Sequence, residues 1–231
     1  MNLDLTKEQR FPNSSPKTYI AFVLDKSGSM QNIRDVAIRG FNDQLESITR
    51  EANPNTFVSL VTFSTFVTPI FFNRRINQVE KLDYFNYQPE GWTALYDAVG
   101  YTISRLENES EYDSNTAFLV VIISDGYENR SVDYTSSKLA NLITRKQHSG
   151  RWTFAYVGAN QDLGKVTQLL NIPLGNAITY DSSPIGTAAA FVNITNSTSD
   201  YLRSRKMGIT ATESFSNGNG GSTGPTSKTD T

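Results

Sequence analysis

Apolar residues fall along this chain in short runs that alternate with helical stripes. Tyr19-Ile-Ala-Phe-Val-Leu24 is a compact run of strand formers. Over 32–52 the spacing changes, and Ile33, Ala37, Phe41, Leu45 and Ile48 share one helical face. Asn53-Pro54-Asn55 ends that stripe. A strand over 57–63 follows, and 66–72 predicts another folded back on it. The stretch 94–106 is helical, with Ala94, Leu95, Ala98, Val99, Thr102 and Ile103 on its buried side. Phe118-Leu-Val-Val-Ile-Ile123 is the most apolar run, which suits a central parallel strand buried on both faces. Helices are predicted over 134–148, 161–170 and 186–205, and strands over 152–157 and 177–180. The last helix carries Asn193, Thr195, Asn196, Ser197, Thr198 and Ser199, a run of weak helix formers that makes its middle marginal and open to displacement.

Strands alternating with helices of this length predict a doubly wound α/β fold: a mostly parallel sheet with one antiparallel edge strand and helices on both faces. Residues 1–16 read as an N-terminal arm, 17–206 as the domain, and 207–231 as a flexible tail rich in Gly, Ser and Thr. The 231 residues suffice for one α/β core. A hydrophobic share of 38% with 19% charged residues fits a soluble globular chain. The net charge of -2 gives no electrostatic reason to expect a nucleic-acid partner. With no cysteine, disulfides, thiolate metal sites and cysteine nucleophiles are excluded, and the balance leans intracellular. The first ten residues lack the apolar centre of a signal peptide, and no apolar run approaches a membrane span. The expectation is therefore a cytoplasmic protein, a monomer on its own, with no membrane partner.

In a doubly wound sheet, ligands bind beyond the carboxyl ends of the strands. After the first strand comes Asp25-Lys26-Ser27-Gly28-Ser29, where Gly28 is expected to permit a tight turn. After the central strand comes Ser124-Asp125-Gly126, and Gly91-Trp92-Thr93-Ala94 opens the helix between them. Two carboxylates and three hydroxyls with no Cys or His nearby form a hard-oxygen set, which selects Mg²⁺, Mn²⁺ or Ca²⁺ over Zn²⁺ or copper. The rival reading of Asp25 and the serines is simple capping of the first helix.

Asp-x-Ser-x-Ser after strand one, a Thr opening a mid-chain helix and an Asp after the central strand together resemble the metal-ion-dependent adhesion site of von Willebrand factor type A (VWA) domains. Asp25, Ser27, Ser29, Thr93 and Asp125 fill all five positions. The likeness runs over roughly 17–206. The stretches Gly91-Trp-Thr-Ala-Leu-Tyr-Asp-Ala-Val99 and Ser124-Asp-Gly-Tyr-Glu-Asn129 are most similar to small intracellular or phage-type members. The resemblance implies a Rossmann-like fold and a divalent cation, Mg²⁺ or else Mn²⁺ or Ca²⁺. It implies direct ligation by Ser27, Ser29 and Thr93, with Asp25 and Asp125 supplying charge directly or through coordinated water. It also implies a position left open for an Asp or Glu of a partner protein.

Trp92, Tyr127 and Glu128 are the expected partner-binding rim. His148 reads as a helix-end residue, the cluster Phe63, Phe66, Phe71 and Phe72 as core, and Asn160 as the cap of the helix over 161–170. A cation-dependent protein-binding module, not an enzyme, is the leading reading. The alternative is a virion or assembly component whose metal site is vestigial or purely stabilising. A Mg²⁺-dependent phosphoryl-transfer enzyme with Asp25 as nucleophile is disfavoured, because such enzymes offer a second Asp two residues later and this chain has Ser27 there.

Overall fold

The computed structural model describes residues 16–111, 113 and 115–216. Its six-stranded sheet is built around β1 (Lys17–Asp25) and β4 (Thr116–Ser124), which pair in parallel side by side. On one flank lie β2 (Thr56–Phe63), parallel to β1, and β3 (Val67–Arg75), antiparallel at the edge. On the other lie β5 (Trp152–Ala159) and β6 (Ala177–Tyr180), both parallel. The order β3-β2-β1-β4-β5-β6 reverses direction between β1 and β4, which makes the ends of those two strands the switch point where such sheets bind ligands. All nine residues of β4 are buried, as its unbroken apolar run requires of a strand covered on both faces.

Alternation along the strands divides the core. Ile20, Phe22 and Leu24 join α1 (Arg34–Glu51) and α5 (Pro184–Lys206) on one face. Tyr19, Ala21 and Val23 join α2 (Leu95–Glu109) and α3 (Ser136–His148) on the other, with α4 (Leu163–Leu170) beside them. On this second face Phe57, Tyr19, Phe118 and Trp152 occupy one cross-strand row and stack at centroid spacings of 4.9, 5.3 and 4.2 Å. Stacked aromatic pairs at this spacing add stability beyond their buried area.

Several expectations change here. Helix α4 is capped by Asp162, whose carboxylate accepts from the Lys165 amide; Asn160 adopts a left-handed conformation and bonds Ser182 instead. Phe63 is buried, but Phe66 is 77% exposed at the β2–β3 turn and does not belong to the core. His148 does end α3. The middle of α5 is unbroken helix, and two of its weak helix formers bond α1: Ser199 and Ser47 hydroxyls lie 2.9 Å apart, and Thr195 donates to Gln44 at 2.7 Å. Tertiary contact overrides the poor intrinsic propensity.

Residues 207–216, expected to begin a loose tail, run back across the end of the sheet. The Phe215 amide donates to Asn176 Oδ1 at 2.7 Å, the Thr212 amide to Thr153 Oγ1 at 3.0 Å, and the Phe215 ring is buried in the α1/α5 core. The buried Arg205 guanidinium holds the start of this strap by bonding the Ile209 carbonyl and Thr18 Oγ1. The arm over 1–15 and the tail over 217–231 lie outside the described residues.

Phe215→Ala is expected to lower the unfolding free energy by about 3 kcal/mol, seen as a shift of the urea midpoint. A loss below about 0.5 kcal/mol would return the strap to a passive tail.

Candidate metal centre

The ends of β1 and β4 deliver Asp25 and Asp125 to one edge of the sheet, with the segment before α2 bringing Thr93 between them. The Asp25 side chain is fully buried. Its Oδ1 accepts from the Ser27 amide at 2.7 Å, and its Oδ2 accepts from the Ser124 hydroxyl at 2.6 Å. Ser29 donates to Asp125 Oδ1 at 2.6 Å, and the Ser27 and Ser29 hydroxyls lie 3.1 Å apart. Ser27 occupies the cap position of the 3-10 turn Gly28–Ile33, yet its side chain makes no capping bond. Nor does any side chain cap α1. The hydroxyls are therefore committed to one another and to the carboxylates rather than to helix capping.

Thr93 faces the same space. A Cβ added at Gly126 would lie 3.2 Å from Thr93 Oγ1 and 3.9 Å from Asp25 Oδ2. Gly126 thus keeps open a cradle that a larger residue would fill. The demanding turn is not at Gly28 but at Gly91, which has φ 75 and whose added Cβ would come within 2.5 Å of Thr65 Oγ1. Only glycine meets both conditions, and Gly91 accepts from the Gly28 amide at 3.1 Å, which joins the two loops.

Thr93 is fixed by a reciprocal pair: its amide donates to Asn129 Oδ1, and its carbonyl accepts from the Asn129 amide. Glu128 turns inward and accepts from the amides of Tyr96, Arg130 and Ser131, so it builds the loop rather than the rim expected of it. Trp92 and Tyr127 are 62% and 64% exposed and flank the site in sequence. Four supports escaped the sequence reading. Ser124 holds Asp25, and Tyr87 donates to the Asp25 carbonyl at 2.6 Å. Gln161 donates to the Gly126 carbonyl and itself accepts from Tyr156. Ser124 was recoverable from its place before Asp125 at the end of a strand adjoining β1. Tyr87 carries no local signal, because it arrives on a long irregular connection.

Burial pushes the Asp25 pKa up to about 6, against the hydrogen bonds from Ser124 and Ser27, and the like charge of Asp125 adds to the rise. Burial also raises Asp125, opposed by its bond from Ser29. Among the described residues neither carboxylate forms an ion pair. The donor set is all oxygen, rich in charge and open on one side, which fits a hard divalent cation.

The von Willebrand factor type A domain model matches residues 20–187. Among solved structures, proximal thread matrix protein 1 from the mussel byssus is similar at 14% identity and a TM-score of 0.59, over 79% of this chain and 48% of that one. A second structure of that protein, with a zinc-occupied MIDAS motif, aligns at 16% identity and 0.56, over 81% and 46%. The PilB minor pilin from Streptococcus sanguinis aligns at 16% and 0.55, over 82% and 63%. The chain thus spans less than two thirds of each of these structures, and at such identities the likeness concerns the fold. No curated protein matches the chain by sequence.

The raised pKa has a consequence for stability. The fold holds the Asp25 proton more tightly than the unfolded chain, whose ordinary value is 3.8. In metal-free protein that contribution is complete below about pH 4 and is lost as pH rises through about 6, to the extent of about 3 kcal/mol. Asp25→Asn keeps the shape and removes the charge. It is expected to raise the metal-free thermal midpoint at pH 7.5 and to leave it nearly unchanged at pH 4. An equal shift at both values would contradict the charge argument.

Proposed function

The chain belongs to the von Willebrand factor type A domain family, and from that premise we propose that it is a divalent-cation-dependent protein-binding module. The observation that carries this reading is the gathering of two carboxylates and three hydroxyls at the β1/β4 switch point, with Ser29 bonded directly to Asp125. Ser27, Ser29 and Thr93 would hold the cation, and Asp25 and Asp125 would supply charge through coordinated water. A bound cation would act as an electrophile there, since neutral hydroxyl ligands quench little of its charge. An Asp or Glu of the partner is the natural group to complete the shell, with Trp92 and Tyr127 as apolar anchors at its border.

Oxygen donors favour Mg²⁺, Mn²⁺ or Ca²⁺; the zinc in the thread matrix protein's motif makes competition between these ions and zinc worth measuring. A phosphoryl-transfer role for Asp25 is opposed by its burial, because a nucleophile must be reachable and both its oxygens are engaged. Among the described residues no helix is long and apolar enough to cross a membrane. Similarity to a minor pilin lends no support to a cytoplasmic location.

Millimolar Mg²⁺ or Mn²⁺ is expected to raise the thermal midpoint of the wild type and not of Asp25→Ala. Capture of a partner from the native source is expected to fail with EDTA and with Asp25→Ala. Trp92→Ala should weaken capture while leaving metal binding intact. Metal binding without EDTA-sensitive capture would favour the assembly or structural reading. Metal-dependent phosphatase activity would favour the enzyme.

A further inference from the structure

Tyr180 ends β6 and is only 8% exposed. Its ring belongs to the same buried cluster as Leu24, Met30, Tyr87 and Ala159, at the carboxyl edge of the sheet on the α1/α5 side. Its hydroxyl is shielded from solvent and has no hydrogen-bond partner among the described residues. The other buried tyrosines at this edge differ. Tyr87 donates to the Asp25 carbonyl, and Tyr156 donates to Gln161, each at 2.6 Å. The remaining orphaned side-chain atoms, on Gln44, Thr187 and Thr198, belong to helices α1 and α5.

A buried hydroxyl left without a partner lowers stability, and phenylalanine would fill the same space without that cost. Burial holds the Tyr180 phenol far above its ordinary pKa, and the charges of Asp125 and then Asp25 add to the rise. Strand register places it near them: Ser124 pairs with Gly158, and the next residue of β5, Ala159, pairs with Tyr180, so Tyr180 stands level with Asp125 at the same end of the sheet. Water held by a divalent cation is a strong hydrogen-bond donor and needs acceptors around it. A neutral phenol oxygen at the same end of the sheet as two carboxylates can accept without adding a third negative charge.

Building on the cation-binding reading above, we propose that Tyr180 is a positioning residue for the cation's water shell, its hydroxyl oxygen accepting from a metal-held water on the β6 side of the site. Partners around metal sites of this indirect kind orient the ligands and tune affinity. The orphaned hydroxyl then has its partner only in the loaded protein.

The test is Mn²⁺ calorimetry and metal-free thermal unfolding on wild type, Tyr180→Phe and, as control, Thr198→Val, which removes another orphaned buried hydroxyl. Tyr180→Phe is expected to keep or raise the metal-free midpoint and to weaken Mn²⁺ binding by about tenfold. Thr198→Val should leave Mn²⁺ affinity unchanged. Equal Mn²⁺ affinity in wild type and Tyr180→Phe overturns the role of Tyr180 and leaves the metal site standing. Equal weakening in both variants overturns it too, since the effect would then be a general one of packing. Absence of Mn²⁺ binding by the wild type overturns both the role and the site.

Discussion

A fully buried carboxylate with no ion-pair partner among the described residues governs this edge of the sheet. Asp25 is fully buried at the end of β1, and hydrogen bonds from the Ser27 amide and the Ser124 hydroxyl only partly offset its desolvation. Asp125 sits close enough to raise its pKa further. Two such groups held together in a folded protein are a source of strain unless a positive charge joins them. The surrounding geometry makes sense as a means of holding them in place. Gly126 leaves the cradle open, Gly91 lets two loops close over each other, and Asn129 fixes Thr93 by both its amide and its carbonyl.

The sheet makes that arrangement possible. Because β1 and β4 are neighbours and run parallel, their ends fall at the same edge, and the chain departs from them in opposite directions along the sheet. The opening there is a product of topology, before any side chain is considered. Helices α1 and α5 close one face, and the strap over 207–216 fastens the far end of α5 to β5 and to the segment before β6. The packed core therefore lies beneath the site, while exposed Trp92, Tyr127 and Phe66 stand at the same edge of the sheet.

Much of this was legible in the amino-acid order, and what was not has physical reasons. The strands and the buried faces of α1 and α2 follow from periodicity, since burial on one side writes itself into spacing. The five candidate site residues stand out because three separate loops each place short oxygen-bearing side chains after a strand or before a helix. The inward turn of Glu128 was not legible: an acidic loop residue looks the same whether it meets a partner or three of its own backbone amides. The buried strap escaped because Phe215 stands among polar residues on either side, and its value comes from contacts distant in sequence. The helix α5 itself was legible, but the support of its middle was not, because Ser and Thr are poor helix formers alone yet suit a close, polar contact with α1.

The most direct test of the account is a crystal structure grown with Mn²⁺ and measured for anomalous scattering. The account predicts a single strong peak among the oxygens of Ser27, Ser29 and Thr93, with the Asp25 and Asp125 carboxylates around it. A protein that stays metal-free at this edge under millimolar Mn²⁺, or that binds the ion elsewhere, would contradict it.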